Sequence, residues 1–214
     1  MPLDPSPSSS GTVCVYVARH GQTALNLSRC FRGSADPPLD ATGIKEAGEL
    51  AKLFENIELS HIFCSDKQRA TKTAEIIGKA HGASVHPVES LRALNVGQFS
   101  GQKRTPESEA ALQVYLDDPD TQIPGGESLN DFKQRIGPCL QEAVELFSKT
   151  GVPPLLVAHS SIIHEVGALL KGGHKNLLVE PGGAVAIFFN GSKLDADPIF
   201  KPLKAPGSHA ETIT

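Results

Sequence analysis

Short apolar runs alternate with longer segments whose apolar positions recur at helical spacing. Residues 12–18 form an apolar run that predicts a buried strand. Residues 42–56 place apolar side chains three and four positions apart, the pattern of an amphipathic helix. The alternation continues with predicted strands at 62–64, 83–88, 154–158, 184–189 and 197–203, and with predicted helices at 67–81, 106–117, 129–148 and 160–171.

This order of elements predicts an α/β fold. Strands that alternate with helices of this length are typical of parallel βαβ units, and we expect a three-layer α/β/α sandwich with a mostly parallel central sheet. One domain over residues 12–204 accounts for all of the elements. The Pro- and Ser-rich residues 1–11 and the segment 205–214 are expected to be flexible tails.

Charge and cysteine content narrow the partners and the compartment. The 214 residues carry 20 Lys plus Arg and 24 Asp plus Glu, a net charge of −4, which disfavours nucleic acid and anionic membranes as partners. The four cysteines form no C-x-x-C pair, so no disulfide framework is expected. The N-terminus lacks the pattern of a signal peptide, and no apolar stretch is long enough to span a bilayer. We expect a cytoplasmic protein, whose oligomeric state the sequence does not indicate.

Three groups of polar residues follow predicted strands. Arg19-His20-Gly21 comes after strand 12–18, Arg69 lies in the first turn of the helix after strand 62–64, and His159 follows strand 154–158. Open α/β sheets bind ligands at the carboxyl ends of their strands, so these side chains are expected to meet. Two arginines and two histidines would form a cationic pocket that suits a tetrahedral dianion.

Polar groups near these residues would supply further hydrogen bonds to the same anion. Thr23 and Asn26 can donate from their side chains, and the backbone N–H groups after His159, from Ser160 onward, begin a helix. Arg32 is either a substrate contact or an ordinary surface charge. No metal or other cofactor is required, because the arginines and histidines can neutralise the anion.

The chain resembles the histidine phosphatase superfamily, in the branch that holds the cofactor-dependent phosphoglycerate mutases and their phosphatase relatives. The resemblance runs from residue 12 to about 190, and the matching motifs occur in the family's order. They are Val17–Thr23 with Asn26, Phe31-Arg32-Gly33, Asp36–Leu39 with Thr42-Gly43, Ser65-Asp66 with Arg69-Ala70 and Thr73-Ala74, Pro124–Ser128, and Val157-Ala158-His159.

This resemblance implies a role for each of the matching polar residues. His20 would be the nucleophile that becomes a phosphohistidine, and Arg19, Arg69 and His159, helped by Asn26, would hold the phosphoryl oxygens. Fixed cations stabilise the charge that spreads over those oxygens during an in-line displacement. A small-molecule phosphomonoester is the expected substrate.

The chain departs from the family at the general acid. The family usually has Glu in a Leu-Arg-Glu segment, and the corresponding segment of this chain, Leu91-Arg92-Ala93, has Ala93 at that position. The family's usual Arg before Phe31 is replaced by Cys30, and Ser160-Ser161 replace the usual glycines after His159. Loss of a general acid typically costs about 10²–10⁴ in rate and costs least when the leaving group is a good one.

Two routes around the missing acid remain open. Glu127 could substitute for it, although a carboxylate at that position is equally typical of a helix N-terminus. Alternatively, the substrate has an easy leaving group, as in phosphohistidine phosphatases of this superfamily. The expected activity is a metal-independent phosphatase. The alternatives are a catalytically weak relative that binds a phosphorylated ligand, a phosphohistidine phosphatase and a phosphomutase, of which the mutase is disfavoured because the chain lacks a long inserted segment.

Overall fold

A computed structural model describes residues 12–169, 179–190 and 201–203 of the chain. The strands are β1 Thr12–Arg19, β2 Ile62–Ser65, β3 Val85–Val88, β4 Leu155–Ala158, β5 Ala184–Asn190 and β6 Lys201–Leu203. The helices are α1 Ala24–Leu27, α2 Ala41–Leu53, α3 Gln68–His81, α4 Pro106–Asp117, α5 Leu129–Thr150 and α6 Ser160–Leu169, and two 3₁₀ turns cover Glu89–Leu91 and Gly97–Phe99.

The strands form one six-stranded sheet in the order β3-β2-β4-β1-β5-β6. The pairs β3–β2, β2–β4 and β4–β1 are parallel, whereas β5 runs antiparallel to β1 and to β6. The central strands β2 and β4 are buried along their whole length, as expected of strands that are covered by helices on both faces. The predicted three-layer α/β/α sandwich with a mostly parallel sheet is confirmed.

Most predicted elements are present, with ends that shift by one to three residues. The predicted helix 106–117 coincides with α4, and Ser128 caps α5 by accepting a hydrogen bond from the backbone N–H of Asp131. The short helix α1 and the two 3₁₀ turns were not predicted, because segments of three or four residues carry no measurable periodicity. The predicted tails, the last two residues of the predicted helix 160–171 and residues 197–200 of the predicted strand 197–203 lie outside the described residues.

Asp66 lies just before the helix that follows β2, and Asp is a residue type typical of an N-cap, but Asp66 does not cap this helix. The N-cap residue of α3 is Lys67, whose side chain makes no capping hydrogen bond. The carboxylate of Asp66 instead accepts hydrogen bonds from Nε of Arg92, at 2.8 and 3.1 Å. An ion pair with a residue that is 26 positions away has displaced the local capping interaction.

Gly21 allows a close contact between the loop after β1 and the first turn of α2. A Cβ atom at Gly21 would collide with the carbonyl oxygen of Gly43, and a Cβ at Gly43 would collide with the carbonyl oxygen of Gln22. The close neighbour of Gly21 is thus another segment of the chain. This contact holds the loop that carries His20.

None of the helices among the described residues is long and apolar enough to span a membrane. The apolar side chains instead form one core that joins the faces of the sheet to α2, α3, α5 and α6. Polar residues lie at the carboxyl ends of β1, β2 and β4, outside this core. These three strands are neighbours in the sheet.

Candidate active site

The sheet order brings the three predicted strand-end groups together. His20 directly follows β1, His159 directly follows β4, and Arg69 lies in the first turn of α3 after β2. The backbone N–H of His20 donates to the carbonyl of Ala158 at 3.0 Å, which ties the ends of β1 and β4 to each other. The imidazole rings of His20 and His159 lie edge to face, with their centroids 5.2 Å apart.

Arg69 lies between the two histidines. Its Nε donates to Nε2 of His20 at 3.3 Å, and its second terminal nitrogen is 3.4 Å from Nδ1 of His159. A guanidinium has only donors, so both of these ring nitrogens must be acceptors. His20 therefore carries its proton on Nδ1, which donates to the carbonyl of Gly21 at 2.6 Å, and His159 carries its proton on Nε2.

Both histidines are held in the neutral form. Burial, together with the nearby guanidinium groups of Arg32 and Arg69, lowers the pKa of His20 well below its ordinary value. Burial and the neighbouring His20 and Arg69 lower the pKa of His159 in the same direction. A neutral imidazole with an unprotonated Nε2 is a nucleophile at neutral pH.

Arg19 and Arg32 complete the group, which together with His20, Arg69 and His159 we call the histidine pocket. A terminal nitrogen of Arg19 donates to the carbonyl of Val179 at 2.7 Å. Burial and the neighbouring cations of Arg19 and Arg69 lower the pKa of Arg32 to about 9. Burial lowers the pKa of Arg19, and the nearby carboxylates of Glu180 and Glu46 partly oppose this shift. Arg32 has no such carboxylate neighbour among the described residues, so the local excess of positive charge lies at Arg32.

Two buried donors of the histidine pocket lack a partner among the described residues. They are Nε of Arg19 and Nε2 of His159. Buried polar groups are normally hydrogen-bonded, and a buried donor without a partner costs about 1–3 kcal/mol. Together with the excess of positive charge, these donors form a site that an anion with several oxygens would satisfy.

The predicted substrate-binding residues lie around this pocket in different ways. The hydroxyl and the backbone N–H of Thr23 both donate to Oδ1 of Asn26, at 2.8 and 3.1 Å. The Thr23 hydroxyl is thus used in the cap of α1, which leaves the amide Nδ2 of Asn26 as the available donor. Ser160 is the first residue of α6, directly after His159, and is half-buried.

Thr73 supports the positions of Arg69 and of the loop that carries His20, a role that the sequence pattern does not indicate. Its buried hydroxyl donates to the carbonyl of Arg69 at 2.8 Å and accepts a hydrogen bond from the backbone N–H of Gly21 at 3.1 Å. It thereby connects the helix that carries Arg69 to the loop that carries His20. Thr73 had appeared only as one residue of a matching motif, since its partner lies 52 positions away.

A cleft of about 190 Å³ lies beside the histidine pocket and shares Arg69 with it. We call it the arginine cleft. Its lining residues are Gly33, Ser34, Lys67, Arg69, Glu89, Arg92, Ala93, Asn95, Glu127 and Arg135. Ala93 and Glu127, the two positions that the sequence analysis connected with a general acid, thus line one cleft, although His20 and His159 do not reach its surface.

Glu127 is engaged in a bidentate ion pair. Its Oε1 and Oε2 accept from the guanidinium of Arg135 at 2.7 and 3.2 Å, and Oε1 also accepts from the backbone N–H of Asn95 at 2.8 Å. Arg135 donates in addition to the carbonyls of Ser90, Arg92 and Ala93. This geometry is that of an anchor for residues 90–95 and disfavours Glu127 as the substitute acid.

His164, Glu165 and His174 lie near one another in the sequence, and their side chains are of types that can bind a metal ion. His164 is exposed, and the buried Glu165 lies 3.5 Å from the ammonium of Lys133. His174 lies outside the described residues. Within residues 12–169, 179–190 and 201–203, no group of three or more His, Cys, Asp or Glu side chains is arranged to hold a metal ion.

Comparisons with known proteins show the family to which the chain belongs. Residues 15–180 match the family described as histidine phosphatase superfamily (branch 1). The probable phosphoglycerate mutase GpmB of Klebsiella pneumoniae is 36% identical over 149 residues, which cover 68% of each protein.

Solved structures show the same fold. A mycobacterial glucosyl-3-phosphoglycerate phosphatase is 26% identical, with a TM-score of 0.75 over 91% of this chain and 99% of that protein. A phosphoglycerate mutase from Bacillus anthracis has the same TM-score at 24% identity, over 90% of this chain and 92% of its own. The family match spans both histidines of the pocket, and the chain belongs to the histidine phosphatase superfamily.

Proposed function

We propose that the chain is a metal-independent phosphatase that transfers a phosphoryl group from a small-molecule phosphomonoester first to His20 and then to water. The observation that carries this proposal is the hydrogen-bonding state of His20. Its Nδ1 is bonded to the carbonyl of Gly21, and its Nε2 is an unprotonated acceptor within the cationic pocket. Nε2 is therefore the attacking atom.

The cations and donors of the histidine pocket would bind the phosphoryl oxygens. Arg19, Arg32 and Arg69 supply positive charge, and Nε2–H of His159 and Nε of Arg19 supply directed hydrogen bonds. Preorganised donors of this kind stabilise the charge on the equatorial oxygens in the transition state. Asn26, through its free amide, and the backbone N–H at Ser160 would bind further oxygens of the same group.

Release of inorganic phosphate from 4-nitrophenyl phosphate tests the activity. We expect turnover in the presence of a chelator, no turnover in His20→Ala, and an acid-labile phosphoryl label on wild type that the variant lacks. Loss of activity on chelation would contradict metal independence, and a label that persists in His20→Ala would contradict the assignment of the nucleophile. Phosphate binding without turnover or label would identify a binding protein instead.

A second candidate is a phosphomutase, which the relative named probable phosphoglycerate mutase favours. A mutase would pass the phosphoryl group from His20 to a hydroxyl of a bound acceptor rather than to water. Incubation with 3-phosphoglycerate and its bisphosphorylated form distinguishes the two. We expect inorganic phosphate as the main product, whereas conversion to 2-phosphoglycerate at a higher rate than phosphate release would make the mutase the better description.

A further inference from the structure

The carboxylates of the arginine cleft are all paired with arginines in the part of the chain that the structure describes. Glu127 is held by Arg135, and Glu89 is paired with Arg92. A guanidinium has only donors, so the paired oxygens of both side chains are occupied as hydrogen-bond acceptors. Among the described residues, the cleft therefore offers no carboxyl group with a proton directed at a departing oxygen.

The carboxylates at the margin of the cleft are paired as well. Asp66 is bonded to Arg92, whose hydrogen bonds hold the pKa of this carboxyl below its usual value. Asp36 lies 3.5 Å from a terminal nitrogen of Arg69 and also accepts from the backbone N–H of Gln68. Both carboxylates are thus occupied as hydrogen-bond acceptors, and neither has a contact that directs a proton into the cleft.

The histidines do not supply the proton either. Nε2 of His20 is the attacking atom, and His159 is neutral, with Nδ1 occupied by Arg69. The N–H of a neutral imidazole donates a hydrogen bond but is a very weak acid. His159 can therefore orient a phosphoryl oxygen without protonating the leaving group.

The cleft nevertheless contains a cation that could stabilise a departing anion. Lys67 lines the cleft beside Arg69, and its ammonium donates to the carbonyl of Ser34 at 3.3 Å. No described carboxylate lies within ion-pair distance of Lys67, although its charge, after the contribution of Arg92, helps to lower the pKa of Asp66. A leaving group that departs with its negative charge would find an ammonium and a guanidinium in this cleft, next to the side chain of Ala93.

We infer that the substrates are phosphoryl donors whose leaving group departs without a proton, such as aryl, enol and acyl phosphates, and that alkyl phosphates are poor substrates. This inference rests on the proposed function. Nε2 of His20 forms the N–P bond while the P–O bond breaks, and the oxygen leaves with the electron pair as an anion. Water then attacks phosphorus, the P–N bond returns its pair to Nε2, and the water proton passes through solvent to the departed anion or remains on phosphate.

The dependence of kcat/KM on the leaving group tests this inference. The wild-type protein would be assayed at neutral pH with a series of substituted phenyl phosphates, with acetyl phosphate and with glycerol 1-phosphate. We expect kcat/KM to fall steeply as the pKa of the departing hydroxyl rises, by on the order of 10²–10⁴-fold between 4-nitrophenyl and alkyl phosphate. Equal kcat/KM for the aryl and alkyl esters would overturn the inference and show that another part of the chain supplies the proton.

A pair of variants at Ala93 separates proton supply from shape. Ala93→Glu introduces a carboxyl into the cleft, and Ala93→Gln is the matched control of similar volume that cannot ionise. We expect the Glu variant to reduce the dependence on leaving-group pKa, mainly by raising kcat/KM for alkyl esters, and the Gln variant to retain it. If kcat/KM depended equally steeply on the pKa of the leaving group in both variants, then lack of a proton donor would not limit cleavage of the alkyl esters.

Failure of this inference is distinguishable from failure of the proposed function. If no substrate of the series is hydrolysed and His20 acquires no acid-labile label from any of them, then the phosphatase proposal is wrong. If label and turnover are present but kcat/KM is independent of the leaving group, then only the inferred substrate class is wrong. The measurement uses kcat/KM because that constant reports the first irreversible step, in which the P–O bond breaks.

Discussion

The histidine pocket and the arginine cleft lie side by side and use arginine in opposite ways. Arg19 and Arg32 form no ion pair with a described carboxylate, whereas Arg92 and Arg135 are bonded to carboxylates at several atoms. Crowded cations without partners cost folding free energy and are preorganised to bind an anion. Paired cations hold backbone in place. Arginine thus supplies positive charge in the histidine pocket, whereas in the arginine cleft it holds the lining residues in place.

The largest expected effect concerns the nucleophile. His20→Ala removes the atom that accepts the phosphoryl group, so kcat/KM for an aryl phosphate should fall by at least about 10⁴-fold. Rapid-quench labelling and steady-state release of phosphate measure both consequences. Ala93→Gln, in the wall of the cleft, is the control that should keep its acid-labile label. Activity of His20→Ala within tenfold of wild type would refute the role of the histidine pocket.

Matched substitutions of an unpaired and a paired arginine test the contrast directly. Arg32→Gln removes a cation that lies among other cations, so kcat/KM should fall by about 10²-fold while the free energy of unfolding rises. Arg92→Gln leaves Asp66 and Glu89 without their partner, so the free energy of unfolding should fall slightly while kcat/KM changes by less than about tenfold.

Urea unfolding gives the free energy of unfolding of each variant, and steady-state kinetics give its kcat/KM. The contrast fails if both substitutions move stability in the same direction, or if Arg92→Gln lowers kcat/KM as much as Arg32→Gln does. The second result would assign Arg92 to substrate binding. The first would mean that the positive charge of Arg32 is already compensated in the folded protein.

The neutral histidines should make stability depend on pH. The pKa of His20 and His159 is lowered in the folded protein, so below about pH 6.5 the unfolded chain binds protons that the folded chain does not. The free energy of unfolding should therefore fall with decreasing pH, by up to about 1.4 kcal/mol per pH unit for each histidine, until the folded pKa is reached.

Urea unfolding at intervals between pH 7 and 5.5 measures this slope. The variant His20→Asn removes one of the two titrating rings, so its slope should be smaller than that of wild type. A slope that is identical in His20→Asn and wild type would show that His20 titrates alike in both states.

The smallest expected effect on kcat/KM concerns Glu127. Glu127→Gln keeps the shape of the side chain but removes the charge that pairs with Arg135, so we expect a loss of about 1–2 kcal/mol in the free energy of unfolding. As an anchor, Glu127 should not contribute to the pH dependence of kcat/KM. A variant that loses a limb of the pH–rate profile while it keeps the stability of wild type would establish Glu127 as the proton donor instead.

The pattern of apolar residues along the chain predicted most of the helices and strands. The helices α2 and α5 follow from periodic apolar positions, and the strands β1 and β4 follow from continuous apolar runs. The histidine pocket was also predictable to a large extent. His20, Arg69 and His159 each follow a strand, and a parallel sheet brings the carboxyl ends of its strands to one edge.

The partners of charged side chains were not predictable in this way. Asp66 had the position of a helix cap but bonds to Arg92, and Glu127 had the position of a free acid but bonds to Arg135. A charge selects its partner by distance in space, and these pairs require the loop 89–99 to fold back on α3 and α5. No spacing along the chain encodes that distance.

The sequence alone determined the α/β fold, the three strand ends that carry cations and imidazoles, and the alanine at position 93. Each depends on side-chain type and local period, which are properties of the chain itself. The tertiary structure decided which cations stay unpaired, which nitrogen of His20 is unprotonated, and that the carboxylates of the cleft are held by arginines. These depend on distances of a few ångströms between residues that the chain separates, so packing alone determines them.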